Sequence, residues 1–84
     1  MRIESLEETI SVIGYFQNGG LKPIRFLWRG RTVPVKHLAS HWTSREGRDL
    51  KHFYSVSDNG NDYYEISFHP RTFKWMLNRV FLDG

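Results

Sequence analysis

Cysteine is absent from this 84-residue chain, which excludes disulfide staples, thiolate metal ligands and a cysteine nucleophile. A reducing compartment fits that absence. No stretch approaches the ~18 apolar residues of a membrane-spanning helix. Residues 1–8, Met-Arg-Ile-Glu-Ser-Leu-Glu-Glu, are acidic and lack a signal peptide's apolar run. The expectation is a soluble, cytoplasmic protein without membrane attachment. No internal repeat and no low-complexity segment is present, and the length allows one domain, residues 1–84, with a single core. Two loops fall short of ligand-binding motifs. Asn18-Gly-Gly20 lacks the lysine and the helix of a phosphate-cradling loop, and Asp58-Asn-Gly-Asn-Asp62 sets Gly60 and His69 where a calcium loop needs ligands.

Aromatic residues are plentiful: three Trp, four Tyr and six Phe. In so short a chain most of them are needed for packing, since each buries about 150 to 250 Å². The alternation around Arg29-Gly30 predicts a tight hairpin with Trp28 opposite Arg31, Phe26 opposite Val33 and Ile24 opposite Val35. Arg25, Leu27 and Thr32 then share its other side. Thr9 to Phe16 alternates as a strand, although Ser5-Leu-Glu-Glu8 has the form of a capping box, so residues 1–8 read as flexible or as a short helical turn. Residues 17–23 read as a loop. The spacing of Val35, Leu38, Ala39 and Trp42 fits either a helical turn or a bulged strand. Thr43 to Asp49 reads as the most mobile loop.

Asn59-Gly60, as a two-residue turn, sets Phe53 opposite Ile66. Pro70-Arg71 sets Phe68 opposite Phe73, Ile66 opposite Trp75 and Asp62 opposite Arg79. Phe53, Tyr64, Ile66, Phe68, Phe73, Trp75 and Leu77 then share one face. The other face, half apolar, holds Tyr54, Val56, Tyr63, Glu65, Met76, Asn78 and Val80. Short turns and little helix predict a mainly β fold: an antiparallel meander of about six strands curled into a small open barrel or strongly twisted sheet, with at most one short helical turn.

The hairpin Phe26-Leu-Trp-Arg-Gly-Arg31, the later Trp42, and the closing Trp75-Met-Leu77-Asn-Arg79-Val80 resemble a family of small bacterial domains of unknown function. Its pattern is Phe-x-Trp-Arg-Gly-Arg followed by a final Trp-x-Leu-x-Arg-Val, and the match runs over residues 12–81. Several members accompany error-prone polymerase-like proteins of DNA-damage tolerance. The resemblance implies a nucleic-acid-related or adaptor role and supplies no catalytic residue. Thr32 and Pro34 stand where members often carry a further aromatic ring.

Charge is uneven along the chain. Residues 22–51 carry a balance of +6, residues 1–21 a balance of −2 and the remainder −1. Arg25, Arg29, Arg31, Lys36, Arg45, Arg48 and Lys51 form a candidate phosphate-contacting set, with Trp42 and Tyr54 as rings that stack on unpaired bases. The leading expectation is a non-enzymatic module that engages single-stranded nucleic acid or a DNA-processing protein. The alternative is a protein-interaction or self-association module, a weak homodimer, using Tyr54, Val56, Tyr63, Met76 and Val80. No catalytic residue, metal site or cofactor is expected. His37 and His41 lack a closed ligand set, and the neighbours Ser40-His41 and Ser67-Phe-His69 do not by adjacency supply a base and its orienting group.

Overall fold

A computed structural model describes residues 2–83. Seven strands, β1 (Arg2–Gln17), β2 (Gly20–Trp28), β3 (Arg31–Pro34), β4 (His37–Glu46), β5 (Asp49–Ser57), β6 (Tyr63–His69) and β7 (Lys74–Leu82), form one antiparallel sheet in the order β3-β2-β1-β7-β6-β5-β4. No helix occurs among the described residues, and so none long and apolar enough to cross a membrane. The sheet is open but strongly curled. Val35 N–H donates to the Ile24 carbonyl in β2 (2.8 Å), and the next residue, Lys36, donates to the Ser57 carbonyl in β5 (2.9 Å). Two consecutive residues therefore join opposite ends of the strand order.

Strand β1, third in that order, makes the curl. Its residues 2–10 pair with β7 and residues 11–17 with β2. One irregularity falls between Ser5 and Glu8, where Glu7 adopts a φ of 54°, and another at Ile13/Gly14. Bulges bend a strand and increase its twist. At Gly14 a Cβ would sit 2.7 Å from the Lys22 carbonyl oxygen, so only glycine permits this approach. The short helical turn read as one alternative for residues 1–8 is thus replaced by bulged strand, because pairing with β7 satisfies backbone groups that a capping box would satisfy only locally. Residues 37–46 likewise form strand, with the phase shift taken up by a bulge between Leu38 and Ser40.

The β2–β3 register agrees with the sequence expectation: Trp28 lies opposite Arg31 and Phe26 opposite Val33. Arg29 (φ 50°) and Gly30 (φ 75°) both take the left-handed values of a type I′ turn. Three other expectations change. Thr43 to Asp49 is the end of a β-hairpin rather than a loop, turning at Gly47-Arg48, with Glu46 opposite Asp49 and Gly47 at φ 59°. Asn59-Gly60 lies within a five-residue loop, because the Asp58 carboxylate accepts the Gly60 N–H (3.0 Å) and holds a wider turn. Ser57 then pairs with Tyr63 and Tyr54 with Ile66. The turn after β6 spans four residues, with the Thr72 and Phe73 N–H groups both donating to the His69 carbonyl.

A one-residue slip exchanges the faces of a strand, and a two-residue slip preserves them. Tyr54 and Val56 therefore turn inward and Phe53 outward, whereas Phe68 and Trp75 stay on the expected side. A bulge at Glu65/Ile66 sets Val80 opposite Tyr64 and brings it inward as well. The concave core comprises Ile10, Phe26, Val33, Tyr54, Val56, Tyr64, Ile66, Leu77 and Val80. Phe26 of the hairpin meets Tyr64 edge-to-face at 5.4 Å, a geometry worth about 0.5 to 1.5 kcal/mol beyond area burial.

Candidate nucleic-acid interface

The structure separates the seven basic residues into distinct groups. At the β2–β3 tip, the Trp28 indole N–H donates to Glu8 Oε1 (3.1 Å), while Arg29 donates to both Glu8 oxygens at 3.2 and 2.5 Å. The Arg29 and Arg31 guanidinium groups lie 5.0 and 5.7 Å from the Trp28 ring centroid, a cation–π arrangement. Hydrogen bonding from Arg29 holds the Glu8 carboxyl below the ordinary carboxylate range. Asp58 and Asp62 also act on this end, both opposing ionisation of Tyr64, whose pKa is raised chiefly by burial. Arg25 lines a shallow groove with Ile13, Leu27 and Thr32, on the opposite side of the hairpin from Trp28. Lys36 lies at the corner, in a groove with Tyr15, Lys22 and His37.

The β4–β5 tip differs. Arg45 and Arg48 have no salt-bridge partner among the described residues, while Lys51 meets Glu46 (3.2 Å) and Arg71 meets Asp49 (3.1 Å). Beside this tip the concave face carries a continuous row of rings, set by the cross-strand pairs His41–Tyr54, His52–Phe68 and Phe68–Trp75. His41 stacks on Tyr54 with centroids 4.6 Å apart and planes within 7°. His52, Phe68 and Trp75 continue the row, and Phe73 closes it edge-on to Phe68 at 5.5 Å. Phe73 is 80% exposed and holds a φ of 58°. A bulky side chain is disfavoured in that backbone conformation.

Facing this row is the β1–β2 hairpin, where the sequence predicts only a loop. Asn18 (φ 51°) and Gly19 (φ 77°) form a type I′ turn, with Gln17 opposite Gly20. Phe16, 79% exposed, projects from it. A cleft of about 260 Å³ separates this hairpin from His41, His52, Tyr54 and Phe68. Tyr54 is therefore not a free stacking ring: it is buried beneath His41, at 1% exposure. Trp42 lies on the opposite face, parallel to Phe53 at 5.5 Å and 40% exposed. Phe16, His41, His52, Phe68 and Phe73 belong to the site although the sequence does not single them out for it. Their one sequence signal is Asn18-Gly19 as a hairpin turn.

The convex face carries a polar network in a groove of about 420 Å³ lined by Glu7, Lys51, Glu65, Met76 and their neighbours. Ser67 Oγ lies 2.8 Å from His69 Nε2 and accepts from the Asn78 amide (3.0 Å). Burial lowers the His69 pKa and Lys51 adds repulsion, so the ring is neutral at pH 7. Hydrogen-bond reach between serine and histidine is present and both line this groove, although Ser67 is wholly buried. Glu65, 7% exposed, pairs with Arg79 at 2.6 Å across the bulge. The apolar set expected to serve protein contact is divided. Tyr54, Val56 and Val80 are core, and only Tyr63 and Met76 face outward. No group of three metal-ligating side chains occurs among the described residues.

Comparison with protein-family models, curated proteins and solved structures finds no match to this chain.

Proposed function

We propose that this domain is a non-enzymatic, cytoplasmic module that binds single-stranded nucleic acid at the β4–β5 end of its concave face. The supporting observation is the row of rings from His41 to Phe73, which opens beside Arg45 and Arg48, the two arginines of that tip without acidic partners among the described residues. Bases stack on aromatic faces for about 1 to 3 kcal/mol each, and unpaired cations take the phosphates. Phe73 supports this reading, since a strained backbone and a solvated ring together destabilise the free protein and suit a contact surface. The resemblance to companions of error-prone polymerase-like proteins points the same way, toward strands exposed during DNA processing. Fluorescence anisotropy with a labelled ten-nucleotide strand tests it. Arg45→Glu with Arg48→Glu lowers affinity at least roughly a hundredfold and flattens the salt dependence, by about 0.7 in logarithmic slope for each phosphate no longer neutralised. Equal loss from Arg29→Glu would refute the assignment of the site to this end.

A second reading rests on β4 itself. All ten of its residues are exposed, and it is a terminal strand of the sheet, so its outer edge has no partner among the described residues. Such an edge accepts an added strand from a second copy or from an extended peptide. Concentration-dependent sedimentation of the protein alone distinguishes this from nucleic-acid binding.

A further inference from the structure

We infer that the seam between β2 and β4 takes up an extended acidic peptide, which inserts between the two edges as an added strand. This rests on the second reading, in which the β4 edge accepts a strand, and is independent of nucleic-acid binding. It adds the opposing edge, the place of insertion and the charge of the partner.

Three observations carry the inference. The first is a pair of unbonded edges. β3 and β4 run on as one bent strand, the first part paired with β2 and the second with β5, and past Val35 and Lys36 a wedge opens between β4 and the start of β2. Gln17 and Gly20 flank a two-residue turn as a hydrogen-bonded pair, so both backbone groups of Leu21 and the Pro23 carbonyl point away from β1. By the same alternation from Glu46 and Asp49, the backbone groups of His41, Thr43 and Arg45 point away from β5. None of these groups has a backbone partner among the described residues.

The second observation is spacing. Gly20 and Leu21 lie across a cleft of about 260 Å³ from His41, and Lys22 and Pro23 across a groove of about 350 Å³ from His37. No run of β2 Cα atoms comes within 8 Å of β4. Paired strands stand about 4.8 Å apart, so the two edges are too far apart to bond each other, and a strand laid between them satisfies both. The third is charge. No Asp or Glu occurs between Glu8 and Glu46, the span that supplies both walls. Lys22 and Lys36 border the groove, exposed and without a salt bridge among the described residues. A second copy offering its own β4 would bring the same acid-poor strand against this one, whereas carboxylates on an added peptide complement it.

NMR titration of the full chain with a capped seven-residue peptide alternating glutamate and valine tests this, with amide hydrogen exchange as a second readout. One control peptide carries lysine for glutamate, and another carries N-methyl groups at alternate residues. The expected result is that only the acidic, unmethylated peptide binds. Exchange of the Leu21, His41 and Thr43 amides then slows at least roughly tenfold once the peptide exceeds about ten times its Kd. Lys22→Glu with Lys36→Glu changes two exposed side chains, keeps the fold, and lowers affinity for this peptide at least roughly tenfold. Protection confined to His41 and Thr43 overturns the seam and leaves the β4 edge reading standing. Equal binding of the lysine peptide overturns the acidic partner and so the inference, again leaving that reading. Equal binding of the methylated peptide overturns strand addition altogether. Dimers by sedimentation that protect β4 assign the edge to a second copy and overturn the inference. A ten-nucleotide DNA strand that protects Leu21 and Thr43 assigns the wedge to nucleic acid and overturns it too. A monomer that binds no peptide overturns the inference and the second reading together.

Discussion

The two hairpin tips of this domain each carry two arginines and differ in how those charges are held, since Arg29 is paired whereas Arg31, Arg45 and Arg48 have no salt bridge among the described residues. At the β2–β3 tip, Arg29 is held by Glu8 together with the Trp28 indole, so its charge is neutralised within the protein. At the β4–β5 tip, Arg45 and Arg48 are unpaired among the described residues and lie beside an open row of rings. A local charge count favours the β2–β3 tip, because Glu46 and Asp49 offset Arg45 and Arg48 at the other. What separates them is a residue some twenty positions away, Glu8, delivered by the bulge in β1. Available charge is a property of pairing, and pairing follows from topology.

Phe73 is where the contrast between the tips is most open to challenge. Replacing it by Asn suits the left-handed backbone and removes a ring that is 80% exposed. Thermal stability is then unchanged or higher in a melting experiment, while affinity for a single strand drops by a factor of roughly 5 to 150, the equivalent of one stacked base. A smaller effect is expected at the other tip. Glu8→Gln releases Arg29 and gains at most a few-fold in nucleic-acid affinity by anisotropy, because few stacking rings accompany it. The same change affects the acid limb of stability. The folded-state pKa of Glu8 is depressed, so its contribution is full above the ordinary glutamate range near 4.3 and is lost as pH falls through the folded value. Melting temperatures measured against pH should therefore decline less steeply below pH 5 in Glu8→Gln than in the native protein.

The fold is legible where turn chemistry and hydrophobic alternation agree. At Arg29-Gly30 both indicate one register, and the β2–β3 pairing has it. Two Asn-Gly pairs show where legibility ends. Asn18-Gly19 forms a two-residue type I′ turn although the sequence after it, Gly20-Leu-Lys-Pro23, alternates too weakly to announce the second strand. Asn59-Gly60 has strong strands on both sides and still forms a longer loop, because the preceding Asp58 accepts the Gly60 N–H. That one hydrogen bond shifts the register by one residue and exchanges the roles of Phe53 and Tyr54. Tyr54 consequently moves from the expected outer surface to the wall of the cleft, and Val56 moves into the core. Bulges at residues 5–8 and 65–66 have no local signature, since they arise from matching neighbouring strands around the curl. The ring row depends on those long-range pairings, so its members are individually visible in the sequence and collectively hidden.

The difference between the tips is decided by a two-dimensional NMR titration of the labelled domain with a short single strand at low salt, repeated at high salt. The expected result is salt-sensitive shifts at Arg45, Arg48, His41, Phe68 and Phe73, with the Trp28 indole N–H unmoved on Glu8. Shifts centred on Trp28, Arg29 and Arg31, or no shifts at low salt, would contradict the assignment of binding to the β4–β5 end.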